Sequence, residues 1–120
     1  MAAGAHFLVT RPLYEVDSLR RMTAAIGGGA KRARVPVLAC ITPLRSFEEA
    51  DYLAHEVPDV SVPAATLRAM ESAGQAAARA TGLRLAADLL AEARPLADGV
   101  VLTMPEGDAR TLGPLLAVLA

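Results

Sequence analysis

The stretches that decide the fold are AHFLVT at residues 5–10, VPVLACIT at residues 35–42 and GVVLTM at residues 99–104. Each is a short apolar run, followed by a polar turn and, further on, by an amphipathic stretch with helical spacing. Apolar runs of this length are typical of parallel strands that are covered on both faces. The pattern therefore predicts three βα units with parallel strands, the first strand buried on both faces.

The number of these units is too small for the barrel that their order suggests. A TIM (β/α)8 barrel typically needs about 250 residues, whereas this chain has 120. We therefore expect residues 1–120 to form one α/β domain, containing the last three βα units of a TIM barrel that is incomplete in this chain. The first strand would then have an unpaired edge, which favours assembly with a missing N-terminal half or self-association into a homo-oligomer.

Composition and charge exclude several classes of function. The net charge of −1 argues against a nucleic-acid-binding surface and against a polybasic membrane patch. No apolar run approaches the roughly 20 residues of a transmembrane helix, and the N-terminus lacks the pattern of a signal peptide. The single cysteine, Cys40, excludes an intrachain disulfide, and two distant histidines do not suggest a zinc site. We expect a cytoplasmic protein.

Local signals predict the first two helices. A helix should begin near residue 17 and stop at the three glycines 27–29, because glycine tolerates the left-handed conformation at a helix end. Ser46 and Glu49 should form a capping box, in which each side chain accepts a hydrogen bond from the N–H of the other residue. The apolar positions of these helices are Val16, Leu19, Met22 and Ile26, then Phe47, Ala50, Leu53, Ala54 and Val57.

The remaining segments predict a long connection and a last helix. Residues 55–63 contain two prolines and should form a loop. A helix should start near Pro63, break around Gly74 and resume over residues 75–93. The last helix should begin at Thr111 and bury four leucines on one face, namely Leu112, Leu115, Leu116 and Leu119.

Polar residues follow each predicted strand, at residues 10–14, 42–45 and 103–106. In a TIM barrel the chemistry lies where the strands end and the next loops begin. These three segments therefore form a candidate binding rim.

The charged residues of this rim each have two explanations. Arg11 could bind an anionic group such as a carboxylate or a phosphate, or it could form a salt bridge with Glu15 or Asp17. Glu49 could hydrogen-bond a heteroaromatic ring, or it could serve only the capping box. Arg45 has a comparable pair of alternatives, one in ligand binding and one in local structure.

Other reactive residue types give no catalytic signal. His6 should be a core residue of the first strand, His55 should lie on a helix surface, and Cys40 should be a small core residue. The glycines at 27–29 lack the spacing of a phosphate-binding loop. No metal-binding or nucleophile motif occurs, so motif rules alone assign no activity.

Three segments in the same order resemble methylenetetrahydrofolate reductases. Residues 7–14 (FLVTRPLY) are similar to the family's "ITQPxYD" segment. Residues 36–47, together with HEVP at 55–58 and VP at 62–63, are similar to its "IPVLxGIMPLRSY…NEVPG…IP" segment. Residues 80–102 also fit the end of the family. The version found here is most similar to bifunctional proteins that join a homocysteine methyltransferase domain to the reductase.

The resemblance implies a flavin-dependent TIM barrel that reduces methylenetetrahydrofolate to methyltetrahydrofolate, with NAD(P)H donating hydride to FAD. In this family the C-terminal part mainly supplies the wall that faces the folate. The family's glutamine after the first of these strands falls at Arg11, a second polar ring contact at Glu49, and a hydrophobic substrate contact at Leu53. A basic residue after the last strand falls near Gly107 or Asp108, neither of which is positively charged.

The resemblance also implies what this chain lacks. The family's catalytic acid and most of its FAD contacts belong to strands that precede this segment, so no catalytic residue is assigned. We expect little FAD binding and no reductase activity from this chain alone. The alternative is a non-catalytic self-associating or interaction module derived from that barrel. A third, weaker alternative is a small-ligand binder that uses Arg11, Arg45 and Glu49.

Overall fold

A computed structural model describes residues 7–27 and 36–103, together with the single positions 113, 115 and 117. In this part of the chain, three parallel strands form one sheet in the order β1-β2-β3. The arrangement is compatible with partial TIM-barrel units, as the apolar runs predict. The elements are β1 (Leu8–Val9), α1 (Val16–Gly27), β2 (Val37–Ile41), α2 (Phe47–Glu56), α3 (Ala64–Ala93), a short 3-10 helix (Arg94–Leu96) and β3 (Gly99–Leu102).

The main hydrophobic core lies between the sheet and the helices α1 and α3. Alternate residues of the central strand β2 face this layer, because side chains alternate across a strand. They pack against buried leucines of both helices, and the fully buried Leu115 joins the same cluster. The buried contributors from the strand and the helices are Val37, Ala39, Ile41, Leu19, Ala86, Leu89, Leu90 and Ala93.

The prediction that the first strand is buried on both faces is wrong. Of the described residues in this segment, 7–10, only Leu8–Val9 form a strand. Phe7 is 55% exposed and Val9 is 48% exposed. The helices α1 and α3 cover one face of the sheet, and the side chains of Phe7 and Val9 alternate with the half-buried Leu8 onto the other face. The β1 end of the sheet therefore has an open apolar face, which we call the Phe7–Val9 face.

Helix α1 begins one residue before the predicted start because Glu15 caps it. The Glu15 carboxylate accepts a hydrogen bond from the N–H of Ser18 at 3.1 Å. It thereby satisfies one of the N–H groups that have no partner within the helix. Leu19 is fully buried, as its helical spacing predicts. The helix was predicted to stop at the three glycines 27–29. Gly27 is its last residue, and Gly28 and Gly29 lie outside the described residues.

The capping box before α2 is half confirmed. The N–H of Glu49 donates to the Ser46 hydroxyl at 3.0 Å, as predicted. The Glu49 carboxylate, however, accepts from the N–H of Arg45 at 2.8 Å and not from that of Ser46. The reason is that the Arg45 guanidinium also holds this carboxylate. Arg45 therefore supplies both a backbone donor and side-chain donors to the Glu49 carboxylate.

Helix α3 has the break that the sequence predicts. It runs from Ala64 to Ala93 with Pro63 as its N-cap residue, and Gly74 alone has non-helical angles, with φ 69° and ψ 179°. This region of backbone conformation is essentially restricted to glycine. Gly74 therefore allows the helix to change direction above α2.

A second glycine of α3 allows the closest approach between elements. A Cβ atom at position 82 would lie 1.8 Å from the carbonyl oxygen of Leu44. The loop after β2 therefore rests directly on the helix backbone, where no side chain would fit. This contact positions residues 42–45, which belong to the predicted binding rim.

Asp98 closes the opposite end of the sheet. Its carboxylate accepts a hydrogen bond from the N–H of Val37 at 2.8 Å, and its own N–H donates to the Val37 carbonyl at 2.9 Å. These bonds join the start of β3 to the start of β2. Within the described residues, no helix is both long enough and apolar enough to cross a bilayer.

The contact at Gly82 predicts that Gly82→Ala destabilises the chain by about 1–3 kcal/mol, because overpacking against a backbone atom forces the loop away. This loss exceeds the roughly 1 kcal/mol that alanine gains over glycine in a helix interior. Urea unfolding of the full chain measures the change. Gly113→Ala is the control, because a Cβ there meets no heavy atom within 4 Å. Equal stability of the two variants would contradict the assignment.

Candidate functional site

The carboxyl ends of the three strands meet at one edge of the sheet, which we call the strand-end edge. A threonine follows each strand there. The Thr10 hydroxyl accepts a hydrogen bond from the N–H of Cys40 at 2.9 Å. The N–H of Leu13 donates to the Cys40 carbonyl at 3.0 Å. The hydroxyls of Thr42 and Thr103 hydrogen-bond to each other. These bonds hold the loops after β1, β2 and β3 together. The sequence analysis predicted that these three segments form one rim.

Arg45 and Glu49 form a clamp within this edge. The Arg45 N–H donates to Glu49 Oε1 at 2.8 Å, while its Nε and Nη2 donate to Oε2 at 3.1 and 2.6 Å. Both side chains are partly buried, with 34% and 24% of their surface exposed. A carboxylate oxygen has two lone pairs. The clamp therefore occupies Oε2 and leaves one acceptor position on Oε1.

Tyr14 lies next to the clamp; the sequence analysis included it in the binding rim at residues 10–14 but gave it no individual role. Its pKa is raised to about 12, mainly by burial and also by the Glu49 carboxylate and Cys40, against an opposing effect of Arg45. The phenol therefore remains a hydrogen-bond donor at physiological pH. The available sequence signal was its position, five residues after the end of the exposed strand β1.

Arg11 has a different partner from the two that the sequence suggested. Its guanidinium lies 3.9 Å from the Asp59 carboxylate, and both side chains are largely exposed. Glu15 instead caps α1, and Asp17 pairs with Arg20 at 3.1 Å within the same helix. An exposed pair at this distance contributes little stability. The Arg11 guanidinium is therefore accessible to a ligand at the strand-end edge.

The comparison with known protein families agrees with these strand-end segments. The family model for methylenetetrahydrofolate reductase matches residues 1–103. The chain belongs to the methylenetetrahydrofolate reductase family. A search of curated proteins gave no significant match. The family match includes all three strands together with the positions of Arg11, Tyr14 and Glu49, so the family predicted from the sequence is confirmed.

Leu53, the third predicted site residue, lies in a second hydrophobic cluster of this reductase-family chain. It is half-buried on α2 and packs against the cluster that joins α2 to α3. Tyr14 packs against the same cluster from the loop after β1. The structure thus places Tyr14 and Leu53 against one cluster, with Glu49 in the first turn of α2 and Arg11 in the loop after β1. The buried members of the cluster are Leu44, Ala50, Met70 and Ala78.

The other predicted positions have simpler outcomes. His55 is exposed on α2 and lies 3.0 Å from the Asp51 carboxylate, as expected for a helix surface. Cys40 is buried in β2, as expected for a small core residue. His6, Gly107 and Asp108 lie outside the described residues. Within the described residues, no three metal-ligating side chains come together.

The described loops after β1 and β2 lack the features of a dinucleotide phosphate-binding loop, although the family is flavin-dependent. A dinucleotide pyrophosphate is usually held by backbone N–H groups at a glycine-rich loop and a helix start. The described loops after β1 and β2 carry Pro12 and Pro43, which have no N–H, and neither loop contains glycine.

The raised pKa of Tyr14 predicts a loss of stability at high pH. The pKa rises from 10.0 to about 12 in the folded chain, so folding favours the protonated phenol. This contribution is fully present below pH 10 and is lost as the pH rises towards 12. We expect the free energy of unfolding to fall more steeply across this window in the unmodified chain than in Tyr14→Phe.

Urea unfolding at a series of pH values across the same window measures this difference. Tyr52→Phe is the control, because Tyr52 is the other tyrosine of the chain and is 57% exposed on α2. If Tyr14→Phe and the unmodified chain show the same slope of stability against pH, the burial of the Tyr14 phenol is not as described.

Proposed function

We propose that this chain forms the folate-facing wall of a flavin-dependent methylenetetrahydrofolate reductase. The reaction is the NAD(P)H-linked reduction of 5,10-methylenetetrahydrofolate to 5-methyltetrahydrofolate. The observation that carries the proposal is the family match over residues 1–103, which spans every strand of the described sheet. The similarity of residues 36–47 to the bifunctional proteins further supports a reductase of the kind joined to a homocysteine methyltransferase.

The strand-end geometry supports specific roles in folate binding. The free acceptor position on Glu49 Oε1 suits an N–H group on the edge of the pterin ring. Arg11 only donates, so it suits a carbonyl oxygen of the ring or a carboxylate of the folate tail. The exposed part of Leu53 suits the apolar body of the substrate. Each role uses a group that the local hydrogen bonds leave accessible.

We also propose that these three βα units do not catalyse the reduction by themselves. The described edge lacks a cradle for the FAD phosphates, and three strands cannot enclose a flavin. The FAD contacts and the catalytic acid are assigned to other strands of the complete barrel. Substrate positioning is therefore the contribution of this chain to the reaction.

Two titrations of the purified full chain test the proposal. The first uses FAD, and we expect no stoichiometric complex to survive gel filtration. The second uses 5-methyltetrahydrofolate, and we expect saturable binding that Arg11→Ala weakens by about tenfold, a typical effect of losing a charged hydrogen bond. Arg11→Gln restores the amide that the family has at this position and should bind nearly as well as the unmodified chain.

The control for the folate titration is Arg68→Ala, which removes the same charge from an exposed position of α3. Folate binding that Arg11→Ala and Arg68→Ala affect equally would overturn the role of Arg11. A stoichiometric yellow complex with FAD would overturn the proposal that the flavin contacts lie on other strands. The absence of any folate binding would overturn the folate-facing role itself.

One observation favours a second function, that of a self-associating module. The Phe7–Val9 face is apolar and open in the described structure. An exposed apolar sheet face beside an unpaired edge strand is a typical surface for association. A second copy of this chain that covered the face would bury both side chains without any catalytic role.

Light scattering distinguishes this second function. We expect an oligomer for the unmodified chain and a monomer for Val9→Lys, because a buried charge would oppose association. Tyr52→Lys is the matched control, since Tyr52 is equally exposed but lies on α2. A monomeric unmodified chain, or an oligomer that Val9→Lys leaves intact, would exclude self-association through this face.

A further inference from the structure

A cleft of about 390 Å³ opens on the helix-covered side of the sheet. It lies between the start of α1, the end of β2, the first turn of α3 and the C-terminal half of α3. Its lining shares Leu13, Tyr14, Thr42 and Leu44 with the strand-end edge but includes none of Arg11, Glu49 and Leu53. The cleft therefore adjoins the predicted folate contacts without including them.

The floor of this cleft is apolar and firmly packed. Leu13, Ile41, Ala86 and Leu89 line it, and all four are buried members of the main core. Pockets that bind small molecules typically have volumes of about 300–1,000 Å³ and predominantly apolar walls. The size and the floor of the cleft both fall within this description.

The rim of the cleft has one sign of charge. Glu15 and Asp17 line it from the α1 side, while Asp88 and Glu92 line it from α3. Among the described residues, the lining includes no lysine, arginine or histidine. An apolar floor between two carboxylate-bearing walls is complementary to a ligand with an apolar body and a positive charge.

Nearby arginines compensate these charges only in part. Arg20 lies 3.1 Å from Asp17, Arg21 lies 4.0 Å from Glu15, and Arg84 lies 3.7 Å from Asp88. All three arginine side chains are more than half exposed, and none lines the cleft. Exposed pairs of this kind are weak and exchange readily with solvent.

Glu92 carries the clearest unbalanced charge at the cleft. No ion pair links it to another described residue. It lies one helical turn after Asp88 along α3, so both carboxylates stand on the same side of the helix. An ammonium group donates up to three hydrogen bonds and could meet both walls at once.

We propose that this cleft binds a small amphipathic organic cation, a primary alkylammonium whose hydrocarbon body lies on the floor formed by Leu13, Ile41 and Leu89. The ammonium group lies between the carboxylates of α1 and those of α3. A neutral molecule with the same body loses the charge attraction, and a carboxylate is repelled by the rim. The charge of the ligand therefore decides its binding.

The test uses n-hexylammonium, with n-hexanol and hexanoate as ligands of similar body and different charge. Chemical-shift titration of the full chain measures each affinity. We expect n-hexylammonium to saturate and to bind at least about fivefold tighter than n-hexanol, the factor expected from one unit charge at about 4 Å in a water-like medium. Hexanoate should bind more weakly than n-hexanol.

Three variants connect the binding to this cleft. The first is the double variant Asp17→Asn/Glu92→Gln, which removes one negative charge from each wall. It should lose most of the preference for n-hexylammonium over n-hexanol. Glu56→Gln is the charge-matched control, since Glu56 is exposed on α2 and does not line the cleft. Ala65→Leu should block binding by filling the cleft from an exposed position of α3.

Each other outcome contradicts the proposal. Equal affinity for the three ligands means that the rim charges do not select the occupant. Binding that Ala65→Leu leaves unchanged means that the site lies elsewhere. If light scattering shows that Ala65→Leu disperses an oligomer, the cleft is an interface between copies of this chain and not a small-molecule site.

Discussion

The contact between Gly82 and the Leu44 carbonyl is the constraint on which the rest of the structure depends. A helix backbone and a loop backbone can approach this closely only where no side chain intervenes. The contact brings α3 against the loop after β2. This loop contains Arg45 and Ser46, the N-cap residue of α2. It thereby fixes the strand-end edge, one wall of the cleft and the position of the second hydrophobic cluster. Interiors are close-packed, so a change at this point cannot be absorbed locally.

At the strand-end edge the Glu49 carboxylate is held in place, whereas the Arg11 guanidinium is free to move. The Glu49 carboxylate is held by three donors of Arg45, so its orientation is set before any ligand arrives. Arg11 has one distant and exposed partner, so it is free to reorient. A wall with one fixed acceptor and one adaptable donor can orient a flat polar ring while tolerating variation in what is attached to it.

The edge strand β1 is covered on one face only, and a complete barrel of the family would cover the other face as well. In a complete barrel the second face of each strand points to the interior, where neighbouring strands fill the space. Here the Phe7–Val9 face presents apolar side chains that a complete barrel would bury. The helix side, by contrast, is packed and carries the cleft with its carboxylate rim. The two faces thus differ in what they can bind.

The sequence by itself determined the features that depend on neighbours along the chain. The three strands follow from the apolar runs, and the break in α3 follows from the backbone freedom of Gly74. The cap of α2 follows from the Ser46 hydroxyl, three residues before the N–H that donates to it. The family followed from segments in a fixed order.

Only the tertiary structure decided which distant groups meet, because sequence patterns do not contain the distances between elements. The pairing of Arg11 with Asp59, the approach of Leu44 to Gly82 and the bond from Val37 to Asp98 join residues far apart in the chain. The exposure of Val9 was also beyond the sequence, since an apolar strand residue is buried only where another element covers its face.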